Sequence, residues 1–248
     1  MKTIKKLAFL GALLLAFTLT AQSAKLQYNL NKGDKYLVEI NMKQNMAPIM
    51  DMDITVSINM TTTGVNGNSI ETESKMGRMK MDMSAQGESV NFDSDKSDNE
   101  LSEEEKKMKA DLAPAMEMIM YQTMSKTGKM LSYKMVPEVK GAAAVLNQNQ
   151  FLFVEYPTST AKVGTKWGQS QSMNGMNMKI EYVVTEITSD KVFADVTGSL
   201  DGTTEAKIRG KLIIDRASGM ALSNTIDMSV EAMGTTMGMK VSVTAKKL

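Results

Sequence analysis

Apolar and polar side chains alternate with a period of two along most of this chain. The clearest run is Met50, Met52, Ile54, Val56, Ile58 and Met60, interleaved with Asp51, Asp53, Thr55, Ser57, Asn59 and Thr61. Successive side chains of a strand point to opposite faces, so the segment predicts one apolar face and one watery face. At about 3.3 Å per residue it would run near 40 Å, well beyond the common strand length. The same alternation recurs at Val38, Ile40 and Met42; at Met79, Met81 and Met83; and at Met176, Met178, Ile180, Tyr182 and Val184. It continues at Val192, Ala194 and Val196; at Ile208, Leu212 and Ile214; at Ile226, Met228 and Val230; and at Met237, Met239, Val241 and Val243. Turn chemistry separates these runs, at Asn31–Asp34, Gly64–Asn68, Ser189–Asp190, Asp201–Gly202 and Ser218–Gly219. The pattern predicts about ten or eleven strands in meander order, which favours antiparallel pairing.

Two stretches break the period. Ser102 with Glu105 reads as a capping box, and Glu103 to Glu105 suit a helix N-terminus. The helix runs through Met108 and Leu112; Pro114 kinks it or starts a second one carrying Met116, Ile119, Met120 and Met124 on one side, and Gly128 stops it. A shorter candidate, Val139 to Leu146, follows Pro137. The expected fold class is therefore α+β. One domain over 24–248 forms a strongly curled antiparallel sheet, a half-open barrel, with the 102–126 helical segment over its open side. A wide sheet with one apolar face must bury that face, and curling with a helical cover does so.

The N-terminus reads as a secretory signal over 1–23. Lys2, Lys5 and Lys6 precede an apolar run, Leu7 to Leu19, that is too short to span a membrane, and small residues follow at Ala21, Ser23 and Ala24. Cleavage after Ser23 fits best and cleavage after Ala21 is the rival. Without Cys a lipidated bacterial N-terminus is excluded, so the expected location is periplasmic or secreted. Removing the three signal lysines from 29 basic residues leaves 26 against 28 acids. That balance predicts no nucleic-acid partner, and no polybasic tract marks a membrane surface.

Several short motifs recur in a set order. Leu26 to Tyr36 follows the signal, then comes the long alternating strand, then Phe92, Asp93 and Ser94 before an acidic insert. Pro157 and Val163 to Trp167 precede the closing strands. In this order the chain resembles a family of exported bacterial proteins of unknown function, seen mostly in Gram-negative genomes. The resemblance spans essentially the whole chain after the signal and implies no activity. The expected architecture is also similar to the half-barrel of periplasmic lipoprotein carriers, in which a curled sheet and helices enclose an apolar cavity; that likeness is one of fold alone. Lys32 to Tyr36 echoes Val163 to Trp167, as two related halves or as the same turn chemistry used twice.

Composition narrows the chemistry. The 248 residues include 25 Met and no His or Cys. Imidazole bases, thiol nucleophiles, disulfides, zinc knuckles and iron–sulfur sites are thereby excluded, and no phosphate-cradling glycine loop precedes a helix. Carboxylate pairs of the glycosidase kind remain open, but most acids fall on polar strand faces. The expected protein is not an enzyme and needs no cofactor. Met is flexible and polarizable, so on an inward face it suits a wall that accommodates variable shapes, although it also serves as ordinary core filler. The expected function is binding of a hydrophobic or lipid-like molecule in a cavity lined by Met50, Met52, Ile54, Ile58, Met81, Met83, Met116, Met120, Met178 and Ile180.

Two alternatives come from other classes. Soft thioethers select Cu(I) or Ag(I), and Met76–Met83, Met173–Met178 and Met233–Met239 are three Gly-punctuated clusters. A cell-envelope interaction module would instead show a filled core and an exposed apolar patch. A calcium-loop register starting at Asp93, with Asp95, Ser97, Asn99 and Glu104, places Asp98 where the sharp turn wants Gly, so a solvated loop is the better reading. Trp167 is expected to pack half-buried at a strand start.

Overall fold

The computed structural model describes residues 23–46, 49–85, 87–138, 153–173, 176–201, 206–232 and 235–248. The expected signal and the helix expected over Val139–Leu146 lie outside these residues. The chain forms β1 (Ser23–Ala24), β2 (Lys35–Met46), β3 (Met50–Asn66), β4 (Ser69–Ala85) and β5 (Glu88–Asp93), then one helix, α1 (Glu103–Glu117). After it come β6 (Ile119–Ser125), β7 (Met130–Val136), β8 (Ala161–Lys162), β9 (Lys166–Met173) and β10 (Met176–Ile187). The last four are β11 (Lys191–Asp201), β12 (Ala206–Asp215), β13 (Ala221–Ala232) and β14 (Thr235–Lys247). Twelve strands make one antiparallel sheet in the order β7-β6-β4-β3-β2-β14-β13-β12-β11-β10-β9, with β5 added to β4; β1 and β8 pair separately. Among the described residues no helix is long and apolar enough to cross a membrane.

The predicted alternation is the organising feature. Register aligns Phe92, Met81, Ile54, Met42, Val241, Ile226, Gly210, Val196, Tyr182 and Trp167 in one cross-strand row from β5 to β9. Side chains in phase with this row form the apolar face. The opposite face carries cross-strand charge pairs such as Lys43–Asp53 at 2.8 Å, Lys211–Asp195 at 2.6 Å and Lys166–Glu181 at 3.2 Å. Being exposed, these pairs add solubility more than stability.

Two ends of the apolar face differ in chemistry. The end nearest the β3–β4 turn is packed with Val38, Ile40, Ile70, Leu212, Ile214 and the rings of Tyr28, Tyr36, Tyr156, Trp167 and Tyr182, all buried. Extended segments 23–30 and 153–162 cross it. Trp167 is more enclosed than expected, stacked on Tyr182 at 5.0 Å and 15°. Tyr28 N donates to Lys126 O at 2.7 Å and Asn29 N to Ser218 O at 2.8 Å, so adjacent residues bridge the β6–β7 and β12–β13 turns. Six strand intervals separate β6 from β12, roughly 29 Å in a flat sheet; at this end the turns lean inward around segment 23–30. At the other end of β14, β2, β3 and β4 the same face carries Met237, Met239, Met42, Met46, Met50, Met52, Met81 and Met83, all only half-buried.

Three expectations are corrected. The sheet neither closes nor curls strongly, and among the described residues β7 and β9 are unpaired edges rather than the rims of a half-barrel. Aliphatic and aromatic packing by the two extended segments buries the face at one end, so closure is not needed there. The helix expected over 102–126 ends at Glu117, and Ile119, Met120 and Met124 belong to β6. Met116, Met120 and Met124 repeat every four residues, a spacing that fits a helical stripe and a strand face equally. Ile119, Tyr121 and Thr123 are strand formers, and the burial of Met120, Gln122 and Met124 alternates as a strand requires. The strand count also exceeds the expected ten or eleven, because β1 and β6–β8 lack a long alternating run.

The echo between Lys32–Tyr36 and Val163–Trp167 is one turn used twice. Gly33 (φ 92°) and Gly164 (φ 85°) each supply the left-handed residue that L side chains avoid, leading into β2 and β9.

Candidate functional site

The site is built on an interruption in the edge of β4. β5 pairs with residues 80–85 of β4 and β6 with residues 69–75 on the same side, which leaves Met76, Gly77, Arg78 and Met79 without a strand neighbour there. A bulge between Val56 and Ile58 on the β3 side falls opposite the same residues. The backbone of Met79 is satisfied instead by Ser94, which donates its N–H to Met79 O at 2.9 Å and accepts from Met79 N through Oγ at 3.0 Å. α1 is the bridge from β5 to β6 across this gap.

Local chemistry fixes the start of α1. Glu105 N donates to Ser102 Oγ at 3.2 Å and Ser102 N donates to Glu105 Oε2 at 2.7 Å, the capping box expected from sequence. Lys109 Nζ reaches Lys96 O at 2.8 Å and Asp98 Oδ1 at 2.9 Å, tying the helix to its own leading loop. Arg78 grips Asp93 with both arms, Nε to Oδ1 at 2.9 Å, and thereby clamps the end of β5 to the gap in β4. Of the carboxylates around the calcium-loop register, better read as a solvated loop, Asp93 and Asp95 pair with Arg78 and Asp98 with Lys109. Pro114 lies inside the helix without ending it, and no residue of α1 is buried.

Between α1 and the sheet lies a pocket of about 120 Å³, walled by Ile40, Ile54, Val56, Ile58, Met76 and Met79 below and by Leu112, Ala115, Met116 and Met118 above, with Ser74 and Met120 completing it. Ligand cavities usually measure about 300–1,000 Å³, so as it stands the pocket holds only part of a lipid. A wide groove of about 560 Å³ opens near the same end of the strands, but most of its lining, Lys43, Asp53, Asp82, Asp227 and Lys240 among it, is in phase with the polar face.

Of the residues expected to line one cavity, Ile54, Ile58, Met116 and Met120 meet in the pocket beneath α1. Met50, Met52, Ile54, Met81 and Met83 stand on neighbouring positions of β3 and β4, with Met52 opposite Met83 and Ile54 opposite Met81. Met178 and Ile180 do not join them; they are buried in the core on β10, six strand intervals from β3. Sequence reasoning missed Val56, Met76, Met79 and Leu112: Val56 and Met79 are in plain alternation phase, Met76 is set out of phase with Met79 by the bulge, and Leu112 lies on the helix. It also missed a set of buried polar residues, Thr62, Thr72, Ser74 and Gln122, that interrupt the apolar face. The three Gly-punctuated methionine clusters do not share one element. Met76–Met83 lies along β4, whereas Met173 ends β9, Met176 and Met178 are on β10, and Met237 and Met239 are on β14.

The Arg78–Asp93 clamp makes the approach to α1 sensitive to acid. Hydrogen bonding from Arg78 holds the Asp93 carboxyl at about 2, below its ordinary 3.8. A carboxyl with a lowered folded-state pKa stabilises the fold above its unfolded value and loses that contribution as pH falls. Amide protection over residues 94–118 should therefore drop between about pH 4 and pH 2, and Asp93→Asn should lower it already at pH 6 and flatten the dependence. Hydrogen exchange followed by mass spectrometry reads both; identical pH profiles would refute the clamp.

No family model and no curated protein sequence matches the chain; the likeness to an exported bacterial family rests on its short motifs alone. Among solved structures, the chain is similar to one describing lipid–protein interactions in lipovitellin. The TM-score is 0.57 at 9% identity, covering 88% of this chain and 25% of that one, so the chain spans about a quarter of lipovitellin's length. It is also similar, with a TM-score of 0.24 and 8% identity, to a DUF1329 family protein from Desulfovibrio piger, over 87% of this chain and 85% of that one. The first of these supports the fold, an extended antiparallel sheet.

Proposed function

We propose that this is an exported, non-catalytic protein that binds a hydrophobic, lipid-like molecule on the methionine-rich end of its apolar sheet face, beside and beneath α1. The observation that carries this reading is the change of side chains along β14, β2, β3 and β4. Buried Val and Ile fill one end, and half-exposed Met lines the other, on one face of the same strands. A contiguous half-exposed apolar surface is uncommon without a partner, and thioethers re-pack around ligands of different shape at little cost. The lipovitellin structure concerns a protein that interacts with lipid, and the shared sheet architecture is consistent with the same use here. The absence of His and Cys supports binding rather than acid–base or thiol catalysis.

A second reading has its own observation. Among the described residues β7 is an unpaired edge exposing Met130, Leu131, Tyr133 and Val136, the form taken by strands that accept a partner strand. Native mass spectrometry of the exported protein, with lipid extraction of the same sample, separates the readings. Lipid released in near-stoichiometric amount is the expected result. An apoprotein that binds Cu(I) stoichiometrically, or one that carries only a protein partner, would overturn it.

A further inference from the structure

Four polar side chains stand on the apolar face where solvent does not reach: Thr62 at 1% exposure, Thr72 at 1%, Ser74 at 3% and Gln122 at 5%. Register sets Thr62, Thr72 and Gln122 directly opposite one another on β3, β4 and β6, and places Ser74 in the adjacent row between Met60 and Met120. Directly opposed side chains are about 5 Å apart at Cβ. Thr62 Oγ1, Thr72 Oγ1, Ser74 Oγ and Gln122 Oε1 are each enclosed and have no hydrogen-bond partner among the described residues. Buried polar atoms are nearly always paired in folded proteins, so four unpaired ones in adjoining rows call for a missing partner. Ser74 is also part of the wall of the pocket beneath α1.

We infer that these rows receive the polar end of the ligand, and that the ligand is a neutral single-chain amphiphile of the monoacylglycerol or fatty-alcohol class. The inference rests on the lipid-binding reading above and adds the headgroup and its direction. The three hydroxyls can each donate and accept and the amide carbonyl accepts, which matches a hydroxyl-bearing head. No charged side chain stands in the rows or in the wall of the pocket. A carboxylate or phosphate placed there would be buried without a counter-charge, which is strongly unfavourable. Ser74 is the first group such a head meets, with Thr72 and Gln122 behind it. The chain then runs past Ile58, Val56 and Ile54 toward the methionine-rich end. Since 120 Å³ holds the head and only a few methylenes, α1, which buries no residue, is the element that shifts to admit the rest.

The test uses the full exported chain and displacement of the neutral fluorophore N-phenyl-1-naphthylamine by 1-palmitoylglycerol, palmitate at pH 8 and hexadecanol. The glycerol ester and the alcohol should bind about tenfold or more tighter than palmitate. Ser74→Ala and the volume-conserving Thr72→Val should each weaken the glycerol ester several-fold more than they weaken the fluorophore. Thermal unfolding of both variants checks that the fold is intact, and Ser74→Ala is the milder of the two. Equal binding of ester and palmitate, or unchanged ester affinity in folded variants, would overturn the headgroup assignment; the second result would mean that ordered water fills the rows. Failure of the fluorophore and every amphiphile to bind would instead overturn the lipid-binding reading itself.

Discussion

Tyr28→Ala lowers the unfolding free energy by about 3–5 kcal/mol, the expected cost of removing a large buried ring. Against a usual total of about 5–15 kcal/mol, that is a large fraction of what holds the chain folded. Tyr28 is fully buried, edge-on to Phe153 at 5.6 Å and 80° and tilted against Tyr156 at 5.1 Å. Its hydroxyl accepts from Val154 N at 2.9 Å and donates to Val154 O at 3.2 Å. Truncation therefore opens a cavity and also strands both polar groups of a buried peptide. Tyr28→Phe isolates the second effect and should cost about 1–2 kcal/mol. Urea unfolding followed by the fluorescence of Trp167 measures both; a Tyr28→Ala variant within about 1 kcal/mol of the parent would refute this account of the closed end. The same burial has an alkaline signature. Desolvation pushes the phenols of Tyr28, Tyr156 and Tyr182 up from their ordinary 10.0. An acid whose folded-state pKa is raised contributes fully below its unfolded value, so stability falls as pH rises above about 10.

Strand positions were legible because alternation is a strict period, and every long run in the sequence is a strand of the sheet. The change from Val and Ile to Met along β2, β3 and β14 was equally visible, since register preserves sequence order along each strand. What lay beyond reach was how the aliphatic end is covered. Segments 25–30 and 153–160 have no period of their own, and they are placed by hydrogen bonds to the distant turns at Lys126, Thr127 and Ser218. That missing cover is why a closed or strongly curled sheet looked necessary. The Met116, Met120, Met124 spacing misled for a different reason, as four is an even number and suits both structures. Thr62, Thr72 and Ser74 sit in the apolar phase of β3 and β4, so their burial was readable. Threonine is a common strand former, however, and nothing local says that its hydroxyl lacks a partner.

Replacing Met52, Met81 and Met83 together by glutamine weakens binding of a hydrophobic ligand by about two orders of magnitude. Fully burying a Met side chain is worth roughly 1.5–3 kcal/mol, and these three are already half-buried in the free protein, so ligand coverage adds about 1 kcal/mol at each. About 3 kcal/mol in total corresponds to about a hundredfold in affinity. Glutamine keeps the length and nearly the volume of methionine, and at half-exposed positions its amide stays in water. The triple variant should therefore lose little stability, within about 1 kcal/mol per site. Leucine at the same positions keeps the apolar area but not the flexibility of the thioether, so it should retain affinity for one chain while narrowing the range of chains accepted. Titration of N-phenyl-1-naphthylamine against the parent, the glutamine variant and the leucine variant decides the matter. Equal affinity in all three would mean that these methionines are a partly wetted margin of the core rather than a binding wall. The design also separates the two halves of the site. Glutamine at Met52, Met81 and Met83 should weaken every apolar probe to a similar degree regardless of headgroup, whereas changes at Ser74 or Thr72 should weaken the glycerol ester more than the neutral fluorophore. A protein whose methionines filled space and nothing more would not divide its responses in that way.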